Sequence, residues 1–166
     1  MGTNRTSVLE QQVSNSLILK VDQMTKNFGD VIAIDHINLD VRRGEIHCLL
    51  GENGAGKTTL AECLFGLYRA DQGIIQFEGK TLQIKSPHDA ISAGIGMVHQ
   101  HFALARQMSV VENIIVGLNS KGLGIGLQEA TEKVRTLCLE YGVTLDPNTL
   151  IKNLSVGQQQ WAEIIK

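Results

Sequence analysis

Aromatic side chains make up only 4% of this sequence, there are two prolines, and the three cysteines have no near neighbours of their own kind. Cys48, Cys63 and Cys138 are odd in number and sit inside apolar stretches. That pattern excludes a disulfide framework and a closely spaced zinc site, and it fits reduced, buried thiols in a cytoplasmic protein. No apolar run approaches the roughly 20 residues that cross a bilayer, and residues 1–16 lack the apolar centre of a signal peptide. Net charge is −2 and no basic run exceeds the pair Arg42–Arg43, so the electrostatic footprint of a general nucleic-acid binder is missing. Any phosphate site must therefore be local.

What is present suits a globular domain: 166 residues, 43% hydrophobic and 19% charged, are enough to bury a core and too apolar for disorder. The first fifteen residues form a polar tail, and order is expected from Leu17. Apolar and β-branched runs bounded by turn residues predict strands at Leu17 to Val21, Ile37 to Val41, Ile46 to Leu50, Ile74 to Phe77 and Ile95 to Val98. Ser86 with Asp89 and Ser109 with Glu112 each place a hydroxyl three residues before a carboxylate, predicting helices over 87–93 and 110–116. Over Gln128 to Tyr141 the residues Ala130, Val134, Leu137, Cys138 and Tyr141 share one helical face, with Gly142 as the stop. The glycines of 121–126 follow no strand and read as a loop rather than a dinucleotide site. Alternating strands and helices make the class α/β.

The sharpest motif is Gly51-Glu52-Asn53-Gly54-Ala55-Gly56-Lys57-Thr58, which satisfies G-x-x-x-x-G-K-[ST] between an expected strand and the helix-compatible run from Thr59 to Leu64. Polyphosphate has to be met by several backbone N–H groups at once, and a glycine-rich turn lets the backbone come that close. The helix start adds partial positive charge, Lys57 can reach the β- and γ-phosphates, and the Thr58 hydroxyl is placed for Mg²⁺. Thr59 completes the stretch expected to bind nucleotide.

A P-loop alone leaves kinases, GTPases, helicases and transport ATPases open. Leu154-Ser155-Val156-Gly157-Gln158 resembles the LSGGQ signature of the ATP-binding-cassette family, and Phe28-Gly29-Asp30 and Met97-Val98-His99-Gln100 stand where that family has its adenine-stacking aromatic and its Q-loop. The resemblance runs from about Leu17 to the end of the sequence. It implies a P-loop NTPase fold with a RecA-like core, an antiparallel β-subdomain and an α-helical subdomain. The divisions are a tail over 1–15, a core over 16–101, a helical part over 102–153 and the signature with the start of its helix over 154–166.

The resemblance also implies roles. Phe28 would stack on adenine, Lys57 and Gln100 would serve catalysis, and Thr58 and Gln100 would hold Mg²⁺ beside ATP. Leu154, Ser155, Val156, Gly157 and Gln158 would close in trans over the γ-phosphate held by a second nucleotide-binding domain. Val156 stands where the general family has glycine, so this position does not need a left-handed backbone. His99 and His101 share one loop without further ligands, which does not make a metal site.

The forms Leu154-Ser155-Val156-Gly157-Gln158-Gln159-Gln160 and Gly96-Met97-Val98-His99-Gln100-His101-Phe102 look like the bacterial importers of simple sugars and nucleosides, the second most like the nucleoside group. The implied function is an ATPase subunit at the cytoplasmic face of the membrane. It would drive a transmembrane permease, indirectly serve a solute-binding protein, and bind no nucleic acid. The Walker B strand, catalytic glutamate and switch histidine of the family do not occur in these 166 residues. The expectation is therefore a domain incomplete at its C-terminus, inactive alone, with Ile46 to Leu50 short of a neighbour. The alternatives are a soluble cassette protein acting on ribosomes and a non-catalytic nucleotide-binding fragment.

Overall fold

Two twelve-residue strands, β1 (Leu17–Phe28) and β2 (Val31–Arg42), fold back on each other through Gly29, whose φ of 59° suits a tight turn that a residue with a Cβ enters at a cost. Both are longer than the apolar runs predicted, because pairing continues through the polar residues that broke the pattern. The register shifts between Val21 and Met24, where Gln23 and His36 take positive φ. The Asn38 amide fills this irregularity: its Oδ1 accepts from the Gln23 N–H at 2.9 Å and its Nδ2 donates to the His36 carbonyl.

The computed structural model describes residues 16–99, 102–118 and 126–166. The polar tail, Gln100, His101 and the glycines at 122 and 124 lie outside the described residues. The described residues divide into two compact units, one ending at Met97 and the other beginning at Val98.

In the first unit β3 (Gln72–Phe77) pairs with β1, and β4 (Lys80–Leu82) extends the sheet, all antiparallel, in the order β2-β1-β3-β4. Gly73 is needed for this approach, since a Cβ there would lie 2.6 Å from the Met24 Cα. One face of the sheet is covered by α1 (Lys57–Phe65), which contributes Leu60 and Cys63 to a core with Val21, Met24, Ile34 and Ile75. Full burial of a side chain such as Met24 stabilises by about 1.5–3 kcal/mol. The short α2 (Pro87–Ser92) adds Ala90. Its cap differs from the one expected: the Ser86 side chain caps no backbone N–H, and Asp89 accepts instead from the Lys85 N–H and the Ser86 hydroxyl. Those bonds hold the Asp89 carboxyl below its ordinary range.

Two expected strands are corrected. Ile46 to Leu50 and Ile95 to Val98 form no ladder, and Ile46 is 97% and Leu50 91% exposed. A strand buried on both faces needs hydrogen-bonded neighbours, and the antiparallel sheet among the described residues offers these segments none. Cys48 lies in the same stretch and is exposed rather than buried, whereas Cys63 and Cys138 are buried as expected.

The second unit holds α3 (Val110–Leu118), α4 (Leu127–Glu140), a 3₁₀ turn at Ile151–Asn153 and α5 (Val156–Ile165). Ser109 and Glu112 form the reciprocal cap that their spacing predicts. On α4 the residues Ala130, Val134 and Cys138 are buried, and Gly142 ends the helix with φ of 64°. Tyr141 departs from the expected buried face and is 61% exposed, because the helix has ended before it. Val110, Ile114, Val134, Cys138, Ile151, Leu154 and Ala162 form the core. No helix among the described residues is long and apolar enough to cross a membrane.

Asn113, on α3, is a buried polar residue that ties this unit's backbone together. Its Oδ1 accepts from the Ala105 N–H at 2.7 Å, and its Nδ2 donates to the carbonyls of Ala105 and Ser109 at 3.1 and 2.9 Å. Asn113→Ala leaves all three backbone groups without this partner and should destabilise the unit by about 2–4 kcal/mol. Urea unfolding followed by Trp161, the single tryptophan, measures this directly. A loss below about 0.5 kcal/mol would mean that the amide network is dispensable.

Candidate phosphate-binding site

The loop from Gly51 to Gly56 is exposed almost throughout and leads from the segment ending at Leu50, which has no regular secondary structure, into α1. Gly56 takes φ 81° and ψ 3°, and having no side chain it caps none of the first-turn N–H groups. No acidic residue occupies that first turn. The positive end of a nine-residue helix is thus left open to an anion. The same glycine packs on the hairpin so closely that a Cβ would meet the Ala33 carbonyl oxygen at 2.3 Å. The loop is therefore seated against β2 by a contact that only glycine permits.

Lys57 opens α1, and its side chain folds back over the loop. Nζ donates to the Gly51 carbonyl at 2.8 Å and to the Glu52 carbonyl at 2.7 Å. These bonds bring the ammonium to the side of the loop where Gly51 stands, and a Cβ on Gly51 would approach Lys57 Nζ at 4.0 Å and the Ala55 Cβ at 3.4 Å. A third internal bond, Ala55 N–H to the Glu52 carbonyl, tightens the turn. Asn53 and Gly54 form the exposed tip, Gly54 with φ 88° and open space around it. Thr58 follows in the first helical turn, exposed, and Thr59 is half-buried beside it. Fixed amides, a helix start and an ammonium together can bind a polyphosphate, and the exposed Thr58 hydroxyl is the hard oxygen donor that Mg²⁺ prefers.

Phe28 closes β1 opposite Val31 at the tip of the same hairpin and is 42% exposed. Its ring meets Tyr68 edge to face, and Lys26 lies over it. Sequence reasoning missed Tyr68, Lys26 and Asp71, because their association depends on the sheet register rather than on spacing. Gln100 lies outside the described residues.

In the second unit Ser155 caps α5. Its hydroxyl accepts from the Gln158 N–H at 3.3 Å, while the Gln158 side chain accepts from the Ser155 N–H at 3.0 Å. Leu154 is buried under this start, Val156 is 66% exposed, and Gly157 has open space where a Cβ would stand. Val156 opens the helix and is not among the residues with positive φ, as expected of a valine in that place. Backbone bonds from Ile151 to Met108 and from Val110 to Thr149 fasten the preceding turn to the start of α3.

Comparison with known proteins places this arrangement. Residues 34–166 match the ABC transporter family. The nucleoside import ATP-binding protein NupA of Lactococcus lactis subsp. cremoris (strain MG1363) is 46% identical over 155 residues, covering 93% of this chain and 31% of that protein. The guanosine import ATP-binding protein NupO of Bacillus subtilis (strain 168) is 45% identical over 150 residues, covering 90% of this chain and 29% of its own length. The chain thus spans about a third of the curated relatives it matches. The crystal structure of a nucleotide-free ATP-binding cassette from an ABC transporter superposes with a TM-score of 0.76 at 26% identity, over 90% of this chain and 64% of that one. With its family match covering most of the sequence and a cassette fold around the glycine-rich loop, the chain belongs to the ABC transporter family.

Proposed function

We propose that this chain is the ATP-binding part of an importer ATPase that couples ATP binding and hydrolysis to uptake of a nucleoside or simple sugar, with nucleosides favoured. One observation carries the reading: an open helix start preceded by a glycine-rich loop, with the Lys57 ammonium drawn over that loop. On this reading the amides of Gly54 to Thr59 and Lys57 hold the β- and γ-phosphates, and Phe28 stacks on the base. Thr58 and Gln100 would hold Mg²⁺, which when bound neutralises charge on the phosphate oxygens. The start of α5 closes on the γ-phosphate bound by a second nucleotide-binding domain. Because the Ser155 hydroxyl is engaged in its own cap, the anion is met there chiefly by the first-turn amides and the helix dipole. The names of the nucleoside and guanosine import relatives, at 45–46% identity, favour nucleosides as the solute class, and the glucose and galactose import relatives, at 40–42%, keep simple sugars beside them, with transmembrane permease subunits as partners at the cytoplasmic face of the membrane. On the same reading a polypeptide of residues 1–166 alone binds Mg-ATP without turning it over.

The test is uptake of radiolabelled guanosine or adenosine by cells whose full-length protein is wild type or carries Lys57→Ala. Uptake in the variant should fall to the level of cells without the gene. Wild-type uptake in the variant, with RNA co-purifying and released by ATP, would move the protein to the ribosome-acting cassettes.

A further inference from the structure

We infer that Tyr68 and Lys26 position the Phe28 ring, so that the affinity contributed by the base depends on three residues rather than one; this rests on the adenine-stacking role proposed for Phe28. The ring centroids of Phe28 and Tyr68 lie 4.9 Å apart with planes at 79°, the edge-to-face geometry in which the positive rim of one ring meets the negative face of the other. Lys26 Nζ stands over the Phe28 ring, 5.3 Å from its centroid, within the range of a cation–π contact.

Lys26 is itself firmly held. The Lys26 side chain is only 14% exposed, and its ammonium donates to Asp71 Oδ1 at 3.1 Å. Asp71 Oδ2 accepts from the Asn27 N–H at 2.7 Å, and the Asp71 N–H donates to the Thr25 carbonyl at 2.9 Å. The Asn27 amide first and the Lys26 ammonium second hold the Asp71 carboxyl below its ordinary range, so Asp71 stays a carboxylate in mild acid.

Tyr68 and Asp71 both come from the connection that leaves α1, the helix whose first turn would meet the phosphates. One short helix therefore fixes both ends of the candidate site, the phosphates at its start and the base platform just beyond its end. The two rings are each 42% exposed, so burial alone does not account for their order. An aromatic platform already held in place loses less freedom when a flat base settles on it, and that saving appears as affinity. Because a ring face reads no base edge, the clamp raises affinity for a nucleotide over bare polyphosphate without choosing among purines.

The test is calorimetric titration of the chain with Mg-ATP and, separately, with inorganic tripolyphosphate. Phe28→Ala should weaken ATP by about 5- to 150-fold with tripolyphosphate unchanged. Tyr68→Leu and Lys26→Met should each weaken ATP by about 2- to 10-fold, again sparing tripolyphosphate, and Tyr68→Phe should restore wild-type affinity. If both ligands weaken by the same factor in Tyr68→Leu and Lys26→Met, the cluster is merely structural and the inference is overturned. It is overturned equally if Phe28→Ala loses ATP while those two variants do not. If Phe28→Ala leaves ATP untouched, the adenine reading fails and takes this inference with it. Should Tyr68→Leu lose its far-ultraviolet dichroism, Lys26→Met decides the outcome.

Discussion

Lys57→Ala is expected to reduce Mg-ATP affinity by about 10- to 150-fold, below detection if the wild-type affinity is modest. The lost group makes a charge-assisted contact worth about 1.5–3 kcal/mol, and each 1.4 kcal/mol is about tenfold. It also ties the loop together, since Nζ donates to the carbonyls of both Gly51 and Glu52. The variant therefore removes a ligand to the phosphates and loosens the cradle that presents the amides. Lys57→Arg keeps the charge but replaces a compact ammonium with a planar fork, which fits two converging carbonyls poorly, so rescue should be partial. Calorimetry with wild-type protein as reference reads the difference, and unchanged affinity in Lys57→Ala would contradict the loop's assignment.

The second large effect concerns two positive-φ glycines of the same loop that differ in surroundings. Gly56 and Gly54 both take positive φ, 81° and 88°. A Cβ at either position meets the penalty of a left-handed backbone, about 1–2 kcal/mol. At Gly54 nothing lies within 4 Å, and the penalty ends there. At Gly56 the added carbon would lie 2.3 Å from the Ala33 carbonyl oxygen, a backbone atom of β2 that moves only if loop and hairpin part. Gly56→Ala should thus cost at least about 2 kcal/mol more than Gly54→Ala, within the range of overpacked cores, and should also lose ATP binding. Denaturant titrations followed by far-ultraviolet dichroism compare the two. Equal midpoints would show that the loop does not rest on β2.

What the sequence made legible and what it hid follow one physical line. The glycine-rich loop could be read because its pattern is local: loop glycines, lysine and helix start lie within ten residues and need no distant partner. The reciprocal caps at Ser109 and Ser155 were equally local, although the second was expected as a phosphate contact before it appeared as a cap. Strand pairing is not local. Ile46 to Leu50 carries the composition of a buried strand, but composition states a preference and a ladder needs a neighbour. β4 escaped notice for the converse reason, being three residues long and held by pairing with β3 rather than by any apolar run.

The contacts that complete the candidate site were the least readable. Tyr68 reads as an ordinary aromatic after a helix until the register of β1 brings Phe28 to it, and Asp71 looks like a turn residue until it is seen binding Lys26 and Asn27. Asn113 was hidden in the same way, since Ala105, which it both accepts from and donates to, lies in a loop eight residues away whose path cannot be derived from spacing.

The claim on which the account rests is that backbone amides of the loop and of the first turn of α1 hold the nucleotide's phosphates. Amide-resolved nuclear magnetic resonance tests it most directly: ¹⁵N-labelled protein is titrated with Mg-ATP and every backbone N–H is followed. The account predicts that the largest shifts fall on the amides of Gly54, Gly56, Lys57, Thr58 and Thr59, saturating together, and that tripolyphosphate reproduces them without moving residues around Phe28. Saturable shifts confined to other residues, with Gly54 to Thr59 unmoved, would contradict it.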